Sequence, residues 1–277
     1  MQTVTWDRDV ALALDSIGRE KAGFLPPFLN DDELAELLEA WYHVFGLPDA
    51  HISNNRFLVD HRLYEEPAFA RLATHPVVQE AARRVLGDFQ LAGYAMVATP
   101  RNGNEATTAQ TVNFHVDHCV YSDVPVAQAR DTFACIWVNF EKLAMENGPF
   151  ALAVGTDKLN LGWEYFHGPG NQCAVRDMGW ESIAGFNIGP AGSTAVYSGK
   201  TWHAGTVNCS DSIRKGLNIN LVPAHPLDTL KRNPFDLCAL SRERYSKLAT
   251  LIDRPGYLIE HDQRLAKQAQ ENGFDWS

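Results

Sequence analysis

Basic residues are the minority charge in this 277-residue chain, where 24 Lys and Arg stand against 34 Asp and Glu for a formal net charge of −10. A protein that binds polyanions carries the opposite excess, so no nucleic acid partner is expected. Cysteine is scarce and scattered. Cys119, Cys135, Cys173, Cys209 and Cys238 are odd in number and form no CxxC pair. That argues against a disulfide framework or a zinc knuckle and fits a reducing, cytoplasmic setting. Long apolar runs are missing too. The longest uncharged stretch, residues 182–199, is interrupted by Gly185, Gly189, Pro190 and Gly192, so no membrane span is expected. Around Asp7 and Asp9 the chain has acids where a secretory leader needs a basic start and an apolar run.

What is present is core material. Hydrophobic residues make up 45% of the chain, including 7 Trp, 8 Tyr and 14 Phe, and a chain of this length can bury roughly three quarters of its unfolded surface. A single domain over residues 1–277 is expected. Its N-terminal part, about 1–88, reads as helical. Asn30 with Glu33 makes a capping box, Leu34, Leu37, Leu38, Trp41 and Phe45 recur at helical spacing, and Gly46 with Pro48 stop the run. A second helical region begins at Pro67, restarts at Pro76 and ends at Gly87.

From Phe89 to about residue 223 the pattern changes to short runs of β-branched and aromatic residues separated by Gly, Pro, Asn and Asp. Hardly any helical pattern lies between them, which points to an antiparallel sandwich or barrel. Residues 157–185 show no sustained periodicity and read as a lid or binding loop. The tail, about 238–273, returns to amphipathic helix, which could brace the sheet or form a homodimer contact.

The chemistry concentrates on one strand. Along Thr111 to Asp117 the side chains of Thr111, Asn113, His115 and Asp117 share a face, with Val112, Phe114 and Val116 expected to point outward. His115 and Asp117 can grip one metal ion. A further imidazole, His203, follows 86 residues after Asp117 at a strand-and-turn boundary, and antiparallel folds bring such distant strands together. Two His and one carboxylate make the facial triad that holds non-heme Fe(II) with positions left open. Eleven residues on, Arg214 opens a strand, and its planar fork suits a bidentate grip on a carboxylate.

These residues resemble the phytanoyl-CoA dioxygenase-like (PhyH) branch of the Fe(II)- and 2-oxoglutarate-dependent oxygenases, from near Gly23 through Val222. The matching elements are HVD at His115 to Asp117, ENGPF at Glu146 to Phe150 followed by AVGT, and the His203 to Arg214 spacing. The resemblance implies a mainly β fold with flanking helices around a double-stranded β-helix, the cupin-like jelly roll. It implies iron ligands His115, Asp117 and His203, and Arg214 as the 2-oxoglutarate anchor, with Asn113 as a cosubstrate or outer contact and Trp137 lining the pocket. The cofactors implied are Fe(II), 2-oxoglutarate and O2, with ascorbate as a reductant, and the default outcome is hydroxylation of a small-molecule substrate. Desaturation and ring closure share the same start. Halogenating relatives lack the ligand carboxylate that Asp117 supplies here. One departure is Gly155-Thr156-Asp157, where relatives often read Gly-Ser-His.

Other readings stand beside this one. A metal-dependent jelly-roll enzyme without 2-oxoglutarate would not need Arg214 as a clamp, and a non-catalytic binding module would not need the triad. The string His115 to His118 also suggests metallo-β-lactamase-type hydrolases, but Asn113 occupies the place of a required His. His43, His51, His61, His75, His167, His225 and His261 read as structural. The negative charge disfavours a coenzyme A thioester. Trp163, Tyr165, Phe166, Trp180 and Trp202 suit a bulky ring scaffold near the lid, as in natural-product tailoring.

Overall fold

The computed structural model describes residues 7–45, 52–53, 57–58, 63, 66–116, 133–159, 179 and 182–224. Among the described residues four α-helices fall before residue 87: α1 (Arg8–Glu20), α2 (Asp31–Phe45), α3 (Pro67–Thr74) and α4 (Pro76–Leu86). Asn30 and Glu33 form the expected capping box at α2, with Glu33 N–H donating to Asn30 Oδ1 at 3.0 Å and Asn30 N–H donating to Glu33 Oε2 at 2.8 Å. Proline opens α3 and α4, where its missing N–H costs nothing, and Gly87 closes α4 at φ 77°. Helix α1 was not singled out from the sequence. Its signal is Asp7 capping the Asp9 N–H, followed by Val10, Leu14 and Ile17 on one buried stripe.

Among the described residues ten strands pair antiparallel as expected, but three of them lie within residues 1–88, the part whose sequence reads as helical. The ten are β1 (Ala22–Leu25), β2 (Ile52–Ser53), β3 (Phe57–Leu58), β4 (Phe89–Thr99), β5 (Ala134–Asn139), β6 (Phe150–Ala153), β7 (Ala184–Phe186), β8 (Thr194–Ser198), β9 (His203–Gly205) and β10 (Arg214–Pro223). A seven-stranded sheet runs in the order β1-β8-β5-β10-β4-β3-β2, and a three-stranded sheet runs β7-β6-β9. This is the jelly-roll arrangement with flanking helices, because central neighbours such as β1 and β8, β5 and β10, or β6 and β9 are remote in sequence and the strands pair antiparallel.

Alternation along the strands sorts side chains between two cores. On β10, Leu217, Ile219 and Leu221 join the helices, packing with Leu14 and Ile17 of α1, Trp41 of α2, Phe69 of α3 and Val78 of α4. The other face of the large sheet turns Cys135, Trp137, Ala195 and Tyr197 toward Phe150 and Leu152 of the small sheet. The space between the two sheets is therefore lined by aromatic residues, and it is this interior that houses the site.

Two expectations are corrected here. Val112, Phe114 and Val116 do not point outward; they are buried with Ala151, Ala153, Trp202 and Ala204 in a third cluster behind the small sheet. The segment before His115 is not a regular strand either, since its described residues have one bridge, at His115. The lid interval has structured ends, with a 3-10 turn at Thr156–Lys158 and strand β7 at Ala184–Phe186. Its middle and the tail helices lie outside the described residues. No helix among the described residues is long and apolar enough to cross a membrane.

Candidate active site

His203 sits at the start of β9, 2% exposed, and its backbone is joined to His115 by two hydrogen bonds of 2.8 Å, one in each direction. That bridge aligns the two side chains on the same side, and their ring centroids lie 4.3 Å apart. The His203 ring also packs on Tyr197 at 4.2 Å and on Phe150 at 5.5 Å. Its Nδ1 lies 2.9 Å from the Thr201 carbonyl. A carbonyl only accepts, so Nδ1 carries the proton and Nε2 keeps the lone pair, the tautomer in which imidazole ligates a metal through Nε2. Two imidazoles fixed in this way are a donor set that fits Fe(II).

Asp117 and His118 lie outside the described residues. Among the described residues no three His, Cys, Asp or Glu side chains cluster as a metal site. Asn113, two residues before His115, is exposed.

Arg214 opens β10 and is 5% exposed. Its Nη2 donates to Thr99 Oγ1 at 3.0 Å, its Nη1 donates to the Gly148 carbonyl, and its guanidinium carbon lies 5.0 Å from the centre of the Trp137 ring. A Cβ on Gly205, two residues after His203 on β9, would come within 3.9 Å of Arg214 Nη2. The short spacing from His203 to Arg214 therefore brings both groups to one interior, with a turn between their strands. A guanidinium held over an aromatic face is suited to an anionic group such as a carboxylate.

Trp137 is 1% exposed on β5 and stacks on Phe150 at 5.5 Å, with an interplanar angle of 14°. Its Nε1 donates to Asn139 Oδ1 at 2.5 Å. The aromatic chain from Trp137 through Phe150 to Tyr197 and His203 links the Arg214 end of the interior to the His203 end. From the sequence Phe150 stands only as the end of ENGPF and Tyr197 has no role assigned, because an isolated aromatic in a strand reads as ordinary core.

The ENGPF motif has a physical account. Gly148 adopts φ 70°, and a Cβ there would meet Asn208 N and Thr206 O at 2.7 Å, so only glycine fits. Asn147 receives the Ala144 N–H at 2.9 Å and donates to Ser210 Oγ at 3.1 Å, fastening this turn to the loop before Arg214. The motif thus presents the Gly148 carbonyl to Arg214. In the Gly155-Thr156-Asp157 departure, Thr156 Oγ1 donates to the Ala153 carbonyl at 2.6 Å and accepts from the Trp202 N–H at 3.0 Å. This threonine ties β6 to the start of β9.

Trp202 is corrected as a lid aromatic. It is 1% exposed in the cluster behind the small sheet, on the opposite face to His203, as alternation requires of adjacent residues. Trp163, Tyr165, Phe166 and Trp180 lie outside the described residues. His75 accepts the Val77 N–H at the start of α4, and His43 contacts Glu66.

The profile of the phytanoyl-CoA dioxygenase (PhyH) family matches residues 20–216. A search of curated proteins gives no match. Among solved structures, the chain is similar to EctD from S. alaskensis with bound Fe, at 16% identity and TM-score 0.61, covering 83% of each chain. It is also similar to the epimerase SnoN in complex with Fe3+, alpha ketoglutarate and nogalamycin RO, at 18% identity and TM-score 0.57, covering 78% of this chain and 84% of SnoN. The carbocyclase SnoK from nogalamycin biosynthesis matches at 16% identity and TM-score 0.58, covering 79% of this chain and 85% of SnoK. At such identities the likeness is one of fold. The family match spans most of the chain and contains the His115 and ENGPF motifs, His203 and Arg214, so the protein belongs to the phytanoyl-CoA dioxygenase (PhyH) family of Fe(II)- and 2-oxoglutarate-dependent enzymes.

Proposed function

We propose that this enzyme oxidises a C–H bond of a small organic substrate, with hydroxylation as the default and ring closure or desaturation as variants. Fe(II) would be held by His115, Asp117 and His203, and 2-oxoglutarate by Arg214, with Asn113 and Trp137 beside it. The observation that carries this reading is the reciprocal His115 and His203 bridge, with ring centroids 4.3 Å apart and Nε2 of His203 left as the basic nitrogen. When bound, iron and 2-oxoglutarate supply oxygen activation and hydrogen abstraction. The chain's own part is geometric and electrostatic. Thr201 fixes the His203 tautomer, Trp137 and Thr99 orient the Arg214 fork, and the packed rings of Phe150 and Tyr197 exclude water from one side.

The substrate read here is a neutral or cationic ring-bearing metabolite of the kind met in natural-product tailoring. Net charge of −10 supports it by disfavouring polyanions at long range, and SnoN and SnoK, from nogalamycin biosynthesis, share the fold. Five scattered cysteines without a CxxC pair, of which the described Cys135 and Cys209 are free, support a cytoplasmic setting.

Succinate release in the presence of Fe(II), ascorbate and 2-oxoglutarate tests the reading. Release by the wild type and none by Asp117→Ala is the expected result; no release with any substrate counts against it. A panel of glycosides, terpenoids, amino acids and acyl-CoA thioesters tests the substrate class, and a strong preference for acyl-CoA overturns it.

A further inference from the structure

Strand β10 carries two carboxamides on its inner face, Asn218 and Asn220, which are 5% and 0% exposed. Their neighbours Leu217, Ile219 and Leu221 point to the helix-side core, so both asparagines face the interior between the sheets. Asn218 stands directly opposite Trp137 of β5, and Asn220 opposite Cys135. In the same row, Cys135 pairs with Tyr197, the ring on which His203 packs. The carboxamides therefore lie on the floor of the candidate active site.

Three of their four polar side-chain atoms have no hydrogen-bond partner in the protein. Neither Oδ1 nor Nδ2 of Asn220 has a partner, and nor does Oδ1 of Asn218. Because both ends of the Asn220 amide are orphaned, exchanging its O and N would change nothing. A buried amide without partners is costly, and such groups need a reason. Their other flank is small: Ala95 and Gly93 face them from β4, and β4 has a register shift beside Asn220. Bulges of this kind occur next to active sites, where they re-aim side chains.

The pair is separated from the Arg214 site. Gly216 lies between Arg214 and Asn218 on the same face, and a Cβ there would meet Trp137 Cζ2 at 3.3 Å. The indole thus lies over Gly216, the residue that separates Arg214 from Asn218 along this face of the strand, and the guanidinium carbon is 5.0 Å from its ring.

We infer that Asn218 and Asn220 are specificity-determining residues that hydrogen-bond a neutral hydroxyl or amide group of the organic substrate, farther along β10 than the Arg214 anchor of the cosubstrate carboxylate. This rests on the oxygenase reading for the identity of the second ligand. An amide left open at both ends matches a group that both donates and accepts. A carboxylate would satisfy Nδ2 but repel Oδ1.

The test uses the full chain, metal-free and loaded with Zn(II) and 2-oxoglutarate, as wild type, Asn218→Leu, Asn220→Leu and the smaller Asn220→Ala. Thermal unfolding of the metal-free proteins is expected to give at least one variant at each position a Tm equal to or above wild type. A fall of more than about 5 °C in all of them means the amides hold the fold and overturns the inference. Calorimetric affinity for 2-oxoglutarate is expected to stay within about twofold of wild type, whereas a tenfold loss, about 1.4 kcal/mol, assigns the amides to the cosubstrate instead. Saturation-transfer NMR with cyclohexanediol, cyclohexanecarboxamide and cyclohexanecarboxylate should show the first two binding to wild type and lost in the variants. Absent binding, or binding that survives the substitutions, overturns the inference. Wild type that fails to bind 2-oxoglutarate counts against the oxygenase reading, while the fragment and Tm results still judge the asparagines.

Discussion

His115 and His203 exchange backbone hydrogen bonds of 2.8 Å, so the two imidazoles are held together by main chain and not by side-chain packing alone. Substitution of either ring should leave this bridge intact, which makes the metal site separable from the fold.

His115→Ala and His203→Ala are accordingly expected to lower Fe(II) affinity by more than about 100-fold, beyond the cost of losing an outer partner of a ligand, with little change in circular dichroism. Competition with a fluorescent chelator measures the affinity. Retention of wild-type affinity by His203→Ala would remove it from the ligand set.

Arg214→Lys keeps the charge but loses the planar fork that reaches Thr99 and Gly148 together. The KM for 2-oxoglutarate should rise by about 10- to 100-fold, in line with one lost charge-assisted hydrogen bond of about 1.5–3 kcal/mol. Initial rates at varied 2-oxoglutarate check this. An unchanged KM would point to a purely structural guanidinium.

Gly216→Ala places a Cβ 2.7 Å from the Val138 carbonyl and 3.3 Å from the Trp137 indole. The strand cannot absorb the backbone contact, so stability should fall by about 1–3 kcal/mol. Urea unfolding gives the value, and near-ultraviolet circular dichroism should report the displaced Trp137.

Acid should weaken the helical layer through His75. Burial, opposed by the Glu33 charge, holds its imidazole below the ordinary value of 6.5. The neutral ring accepts the Val77 N–H and packs on Phe28 at 4.8 Å. A folded-state pKa below the unfolded one means the stabilisation is complete above about pH 6.5 and is lost as pH falls from there through the folded value. His75→Asn keeps a cap acceptor without titrating, so its stability between pH 7 and 5 should vary less than that of wild type in denaturant titrations.

Local rules made much of this legible. The Asn30 and Glu33 capping box and the prolines at 67 and 76 carry their own conformational preferences, so α2, α3 and α4 begin where the sequence says. Strand β4 appears as a run of β-formers and β10 almost as fully. Helix α1 lies within the part that reads as helical and carries the same kind of signal in its Asp7 cap and its Val10, Leu14 and Ile17 stripe. Strands β7 and β9 have three residues each, too few for a period to show. Before His115, alternation says which residues share a face and not which face is covered. Here Ala151, Ala153, Trp202 and Ala204 cover the apolar one.

The chain's own letters determined the residue types at the site, their order and their spacing, since coordination chemistry and the reach of a guanidinium depend on identity alone. Only the tertiary structure decided that Leu152 and His203 would be paired across β6 and β9, that Gly216 would lie beneath Trp137, and that Asn218 and Asn220 would face inward. Strand pairing between remote segments is set by burial on both faces of two sheets at once, and no window of sequence contains that competition.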